Sequence, residues 1–104
     1  MNQFQFVATI AEREVLRYTP AGIPIVSARL QHVSQQTEAR IERQVEFEIP
    51  AIAAGEISGR FNHADLGGIY RFSGFLARKN RNSKSLVFHV TDFEAYTKQT
   101  DTGA

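Results

Sequence analysis

Apolar and polar residues alternate with a period of two through most of this chain. Over residues 4–14, Phe4, Phe6, Ala8 and Ile10 fall on one side and Gln5, Val7 and Thr9 on the other, the signature of a half-buried strand. Residues 23–34 predict a second strand, with Val26, Ala28, Leu30 and His32 opposing Ile25, Ser27, Arg29 and Gln31. Gln35-Gln36-Thr37-Glu38 reads as a polar break. Residues 40–49 alternate cleanly, with Ile41, Arg43, Val45, Phe47 and Ile49 against Glu42, Gln44, Glu46 and Glu48. A helix would scatter those apolar residues around its axis, so a third strand is the better assignment, with the glutamates on a solvated face. Residues 69–77 and 86–93 predict a fourth and a fifth strand, with Tyr70, Phe72, Gly74 and Leu76, then Leu86, Phe88 and Val90, on single faces.

The punctuation between these runs has mechanisms of its own. In Thr19-Pro20-Ala21-Gly22, Pro20 presets φ for the second turn position and Gly22 closes a tight turn. Pro24 lacks an amide hydrogen and suits the first residues of a strand. Residues 50–65 break the rhythm. Ala51-Ile52-Ala53-Ala54 could begin a helical turn, Gly55 and Gly59 limit its length, and a connector with at most a short helix is expected. Gly67-Gly68 is a turn. Five strands at this spacing, with an irregular connector between the third and fourth, fit an OB-type barrel, and an SH3-like barrel has similar counts.

Composition narrows the chemistry. The 104 residues include no cysteine, which excludes disulfides, thiolate metal sites and cysteine nucleophiles and is compatible with a reducing cytoplasm. No apolar run approaches the ~18 residues of a membrane span, and the first residues lack the basic-then-apolar layout of a signal peptide, so a cytoplasmic location without membrane contact is expected. His32, His63 and His89 are widely separated and no nucleotide-binding or hydrolase motif is present, so neither metal nor cofactor nor enzymatic activity is expected.

Net charge is only +1, yet it is unevenly placed: Arg78, Lys79, Arg81 and Lys84 put four cations into seven residues without an acid. In an OB fold, the loops joining strands one to two and four to five flank the ligand face. The basic stretch 78–84 would be the second loop, and residues 14–22, with Arg17 and Tyr18, the first. Such cations neutralise phosphates with little sequence preference, and an exposed ring such as Tyr18 can stack a base. The plainer reading of 78–84 is a solvated hairpin tip. Most other aromatic residues, Phe4, Phe6, Phe72 and Phe88 among them, read as core.

Tyr18-Thr19-Pro20-Ala21-Gly22-Ile23-Pro24, followed by Ala28-Arg29-Leu30-Gln31-His32, resembles the first loop and second strand of primosomal replication protein N, the PriB family. The likeness continues through Val45-Glu46-Phe47-Glu48-Ile49-Pro50 and Gly74-Phe75-Leu76-Ala77 to Phe93. The resemblance implies an all-β, five-stranded OB-fold Greek-key barrel over residues 1–96 and a homodimer buried partly along the first strand; the polar residues 97–104 are expected to be a flexible C-terminal tail. It also implies a role in replication restart, with single-stranded DNA, the primosomal helicase PriA and other primosome proteins as partners. The expected DNA contacts are Arg17, Tyr18, Arg29, Arg40, Arg43, Arg78, Lys79, Arg81 and Lys84. The chain departs from the best-known members, which offer aromatic rings where it has Ile41 and Glu46 and a basic residue where it has Val33. A carboxylate at Glu46 cannot stack a base and repels phosphate, which moves the expected affinity onto Arg17, Arg29 and the basic loop.

Three further readings compete. A general single-stranded-DNA-binding protein is expected to carry a long tail with an acidic tip, whereas the eight residues after Tyr96 here hold one acid, Asp101. A protein-interaction scaffold with weak nucleic-acid affinity is favoured by Glu46 and the modest net charge. An RNA-binding protein of cold-shock type lacks its aromatic-rich strand.

Overall fold

A computed structural model describes residues 1–97, and in it the period-two segments are strands. In chain order the elements are β1 (Phe4–Arg13), β2 (Arg17–Tyr18), β3 (Pro24–Glu38), β4 (Ile41–Ala54), α1 (Glu56–Asn62), β5 (Ile69–Arg78) and β6 (Leu86–Ala95). The tail expected over 97–104 lies, apart from Thr97, outside the described residues. β3 pairs antiparallel with β1 and β4, and β5 antiparallel with β1 and β6. The ring closes through a parallel contact, with Ala51 opposite Phe88 and Ile52 opposite His89. β2 adds two residues alongside β3. Five strands in the order β1-β5-β6-β4-β3-β1, with a helix between β4 and β5, make a closed OB-type barrel.

The core follows from size complementarity. Ala8, Ala51 and Ala53 leave room inside the barrel for Phe72 and Phe88, while Ile10, Val26, Leu30 and Val90 fill between them. Phe61 of α1 packs edge-on against Phe72 and Phe93, with centroids 6.2 and 5.6 Å away. Phe4, expected in this core, lies instead at the start of β1 and is 48% exposed.

Two segments depart from the sequence expectation. The supposed polar break at Gln35–Glu38 is the continuation of β3, which pairs with β4 without interruption from Ile25 opposite Ala54 to Glu38 opposite Ile41. β1 pairs with β3 only as far as Gln31, so the outer half of this hairpin is an arm with solvent on both faces, and no inward face advertises it. Ile41 is 64% exposed there, and Arg40 belongs to the turn rather than to the strand. The turn residues Ala39 and Arg40 both have positive φ, 54° and 67°, without the Asn-Gly signal that usually marks such a hairpin.

The second departure is at Pro50. β4 continues through it to Ala54, because Ala51 and Ala53 alternate inward against the phenylalanines. Pro50 sits one residue before β4 begins to pair with β6, where its missing amide hydrogen costs no ladder bond there. Gly55 then opens α1 rather than limiting it. At φ +81° it stands in the N-cap position, and its carbonyl accepts from the Ser58 amide (3.0 Å) and hydroxyl (2.6 Å). Gly59 lies inside the helix.

The elsewhere expected turns form. The Gly22 amide donates to the Thr19 carbonyl at 2.8 Å, with Pro20 in the second turn position. The Gly68 amide donates to the Asp65 carbonyl at 2.9 Å, with Gly67 at φ +80°.

Two β-bulges turn side chains at the barrel corners. Ala11 is the extra residue where β1 leaves Leu30 and Arg29, and Arg13 is thereby turned to donate to the Phe61 and Ala64 carbonyls at the end of α1. Thr91 is the extra residue in β6, so that Ser73 faces Asp92 and Gly74 faces Val90. Arg60 of α1 reaches Asp92 at 2.9 Å, donates to the Phe93 carbonyl, and places its guanidinium 4.6 Å from the Phe93 ring. The hydrogen bond from Arg60, followed by that from the Phe93 amide, holds the Asp92 carboxyl below the usual carboxylate range.

Because the folded pKa is depressed, this carboxylate stabilises the fold at neutral pH, and its contribution fades as pH falls through about 4, the unfolded value, and then the folded one. Asp92→Asn is therefore expected to lower the unfolding free energy at pH 7, with the gap to the parent closing below about pH 4. Urea melts across that range check this, and a gap independent of pH would reject the assignment.

Candidate nucleic-acid interface

A groove of 610 Å³ crosses the outer face of β3, β4 and β6. Glu14 and Arg17 stand at its first-loop end, Lys79 and Ser85 at the β5–β6 loop, and Ser27, Arg29, Pro50, Ile52 and His89 line the strands between. Arg17, Arg29 and Lys79 thus arrive from β2, β3 and the second loop. Arg17 donates to the Ser27 hydroxyl at 2.9 Å and lies 3.9 Å from Glu14, while Arg29 lies 3.9 Å from Glu48. These exposed pairs are weak, so both guanidiniums can exchange partners for a phosphate.

The basic loop is held by its own polar side chains. The Asn82 amide donates to Asn80 Oδ1 at 2.9 Å, the Ser83 amide to the Asn80 carbonyl at 3.2 Å and the Ser85 amide to Ser83 Oγ at 3.0 Å. The small residues therefore shape a loop that presents Arg78, Lys79, Arg81 and Lys84 to solvent, and none of the four has an ion pair among the described residues. Tyr18 is 67% exposed beside the Thr19–Gly22 turn.

Arg40 and Arg43 are not part of this cluster. Arg40 is nine residues beyond Gln31, where β1 leaves β3, which places it about 30 Å out along the arm. Arg43 is paired with Glu38. The arm face continuous with the groove carries Gln31, Val33, Gln35 and Thr37 from β3 and Glu42, Gln44, Glu46 and Glu48 from β4.

Each histidine has a local partner. His32 Nδ1 donates to the Val7 carbonyl at 2.7 Å, and the ring stacks on Phe47 at 4.9 Å. His63 Nδ1 donates to the Gly59 carbonyl at 2.9 Å. His89 stacks on Phe75, with centroids 4.7 Å apart and planes within 8°. Among the described residues no group of three or more histidine and acidic side chains converges as a metal site would require. The Phe75–His89 pair escaped the sequence reading. Its signal was the placement of two rings at outward positions of the fourth and fifth strands.

Gly74 sets that pair. A Cβ on it would lie 1.9 Å from the His89 carbonyl oxygen and 2.8 Å from the Phe88 ring. Only glycine lets β5 approach β6 closely enough here to bring Phe75 flat against His89.

A closed barrel of this topology, with cations converging on a strand face between two loops, is an OB fold of the single-strand-binding class. Residues 2–92 match the model of a family described as another single-strand binding protein family. The replication restart protein PriB of Nitrosomonas europaea is 43% identical over 91 residues, covering 88% of this chain and 84% of that protein. The solved structure of PriB from Ralstonia solanacearum superposes with a TM-score of 0.86 at 45% identity, covering 93% of this chain and 99% of that one. The Thermus aquaticus single-stranded DNA binding protein shares the fold at a TM-score of 0.74 and 22% identity, covering 95% of this chain and 52% of that one. The chain belongs to the PriB family, related to the bacterial single-stranded-DNA-binding proteins.

Gly74→Ala is expected to destabilise the barrel by about 1–3 kcal/mol or more, because the new methyl meets backbone rather than a side chain that can yield. Denaturant unfolding checks this, and a loss under about 0.5 kcal/mol would show that the β5–β6 approach is not tight.

Proposed function

We propose that this protein is an accessory factor of replication restart that binds single-stranded DNA. The observation that carries the reading is the convergence of Arg17, Arg29 and Lys79, from three separate elements, on one groove across the barrel. Arg78, Arg81 and Lys84 extend this cationic track along the second loop, and Tyr18 supplies a stacking ring at the other end. Arg40 and Arg43 act as outlying contacts at the tip of the arm. The names of the relatives, replication restart proteins, and the description of the matched family support the same role. The cell compartment is the cytoplasm, and the protein partners are the primosomal helicase PriA and other primosome proteins.

The active form is a homodimer. Along Phe4–Ala8, β1 has a strand partner on the β5 side and none on the other until Thr9 meets Gln31. Phe4 is 48% and Phe47 41% exposed, and Phe47 lies 5.9 Å from Phe6 of β1. An edge this apolar is normally covered.

The scaffold reading draws on the arm, whose acidic residues Glu42, Glu46 and Glu48 suit protein better than phosphate. Affinity for DNA decides between the two.

Binding of a labelled ~30-nucleotide single strand, followed by anisotropy, is expected to weaken steeply with salt. Replacing Arg78, Lys79, Arg81 and Lys84 together by Ala should lower the log–log salt slope by about 3 while the protein stays folded. Unchanged affinity in that variant would remove the loop from the site, and negligible binding by the parent at low salt would favour the scaffold. Sedimentation velocity at micromolar concentration is expected to give a dimer, and a monomer there rejects it.

A further inference from the structure

The geometry points to Phe75 and His89 as a stacking platform for an unpaired base, a deepening that rests on the single-strand reading above. The two rings are direct cross-strand neighbours, Phe75 of β5 opposite His89 of β6, and they lie nearly parallel at 4.7 Å. His89 lines the cationic groove, whereas Phe75 lines a second groove of 530 Å³ bounded by residues 2–5 of the first strand region, Ser73 and Thr91. The pair therefore stands between the two grooves, His89 lining one and Phe75 the other.

The charge distribution selects the occupant. The groove on the His89 side is lined by four cations, Arg13, Arg17, Arg29 and Lys79, against two acids, Glu12 and Glu14, which leaves it net positive toward phosphate, and the described residues lining the second groove carry no formal charge. A strand whose backbone follows the first groove can lay a base over the pair and onto Phe75. In the second groove, Asn2 is engaged twice with Leu76, at 2.8 and 3.1 Å, and Gln5 donates to Ser73 Oγ at 3.1 Å. Gln3, which also lines this groove, has no side-chain hydrogen bond among the described residues, but a ring presents a π face rather than a hydrogen-bonding code, so the platform itself accepts any base. The neighbouring outward positions Arg71, Ser73 and Thr91 are polar, which sets Phe75, 38% exposed, apart from its strand face.

The chain has no tryptophan, so Phe75→Trp provides a single indole reporter in the intact protein. Titration with a ~30-nucleotide oligo(dT) is expected to quench it strongly while affinity stays within a few-fold of the parent. Phe75→Ala is expected to weaken binding by about 5- to 100-fold with the salt slope unchanged, since no phosphate contact is removed. An unquenched indole at full affinity, or full affinity in Phe75→Ala, overturns the platform and leaves the groove reading standing. A shift in sedimentation of Phe75→Ala with DNA affinity intact overturns it in favour of an interface between copies of the chain. Failure of the parent to bind the oligonucleotide at low salt overturns both readings.

Discussion

The β5–β6 side of this barrel depends on one close approach, Gly74 against the carbonyl of His89, with Thr91 as the extra residue beside it. Strict alternation after Phe88 and Val90 would turn Asp92 inward and Phe93 outward. The bulge reverses both. Phe93 enters the core beside Phe61, Phe72 and Tyr70, and Asp92 emerges where Arg60 can reach it. Arg60 in turn fastens α1 through the Asp92 carboxylate, the Phe93 carbonyl and the Phe93 ring. A glycine in one strand thus determines where the helix closes the barrel.

The bulge at Ala11 has the corresponding effect on the other flank, turning Arg13 under the last turn of α1, where helix carbonyls lack intrahelical donors. Arg13 and Arg60 are therefore occupied by the fold. Counting cations along the sequence cannot separate them from Arg17, Arg29 and the Arg78–Lys84 loop. The distinction comes from bulges, which reassign faces without any mark in composition. A near-neutral chain can in this way keep a cationic groove, because several of its positive charges stay exposed while Arg13 and Arg60 are consumed in fastening α1 to the barrel.

What the sequence made legible was wherever one side of a strand is buried. Phe6, Ala8 and Ile10, or Phe72 and Phe88, announce their strands because the core demands a period of two. The arm was half hidden, since both its faces meet water and Gln35-Gln36-Thr37-Glu38 has no apolar face to show. Its turn was hidden too, with Ala39 and Arg40 in left-handed conformations that the sequence does not advertise. Pro50 misled because a strand can tolerate proline beside an unpaired edge. In the site, the loop cations could be read directly from their spacing. Their meeting with Arg17 and Arg29 could be anticipated only by assuming the OB barrel, since no spacing along the chain shows the parallel closure of β4 against β6 on which it depends.

The arm also constrains where a nucleic acid can run. Its groove-side face presents Glu42, Glu46 and Glu48 with no cation between them. A carboxylate about 6 Å from a phosphate is opposed by roughly 0.7 kcal/mol in water, so three such encounters along the arm cost about 2 kcal/mol, or some thirtyfold in affinity. The opposite face holds Arg43, whose positive charge is offset by Glu38 beside it, so this face adds little net attraction. A phosphate backbone leaving Arg29 therefore meets repulsion in the direction of Glu48 and Glu46 and attraction in the direction of Lys79 and the basic loop. The path that electrostatics leaves open crosses β4 and β6 toward His89 and Phe75. The residues that weaken the arm as a DNA surface are the same ones that direct a strand onto the aromatic wall of the barrel.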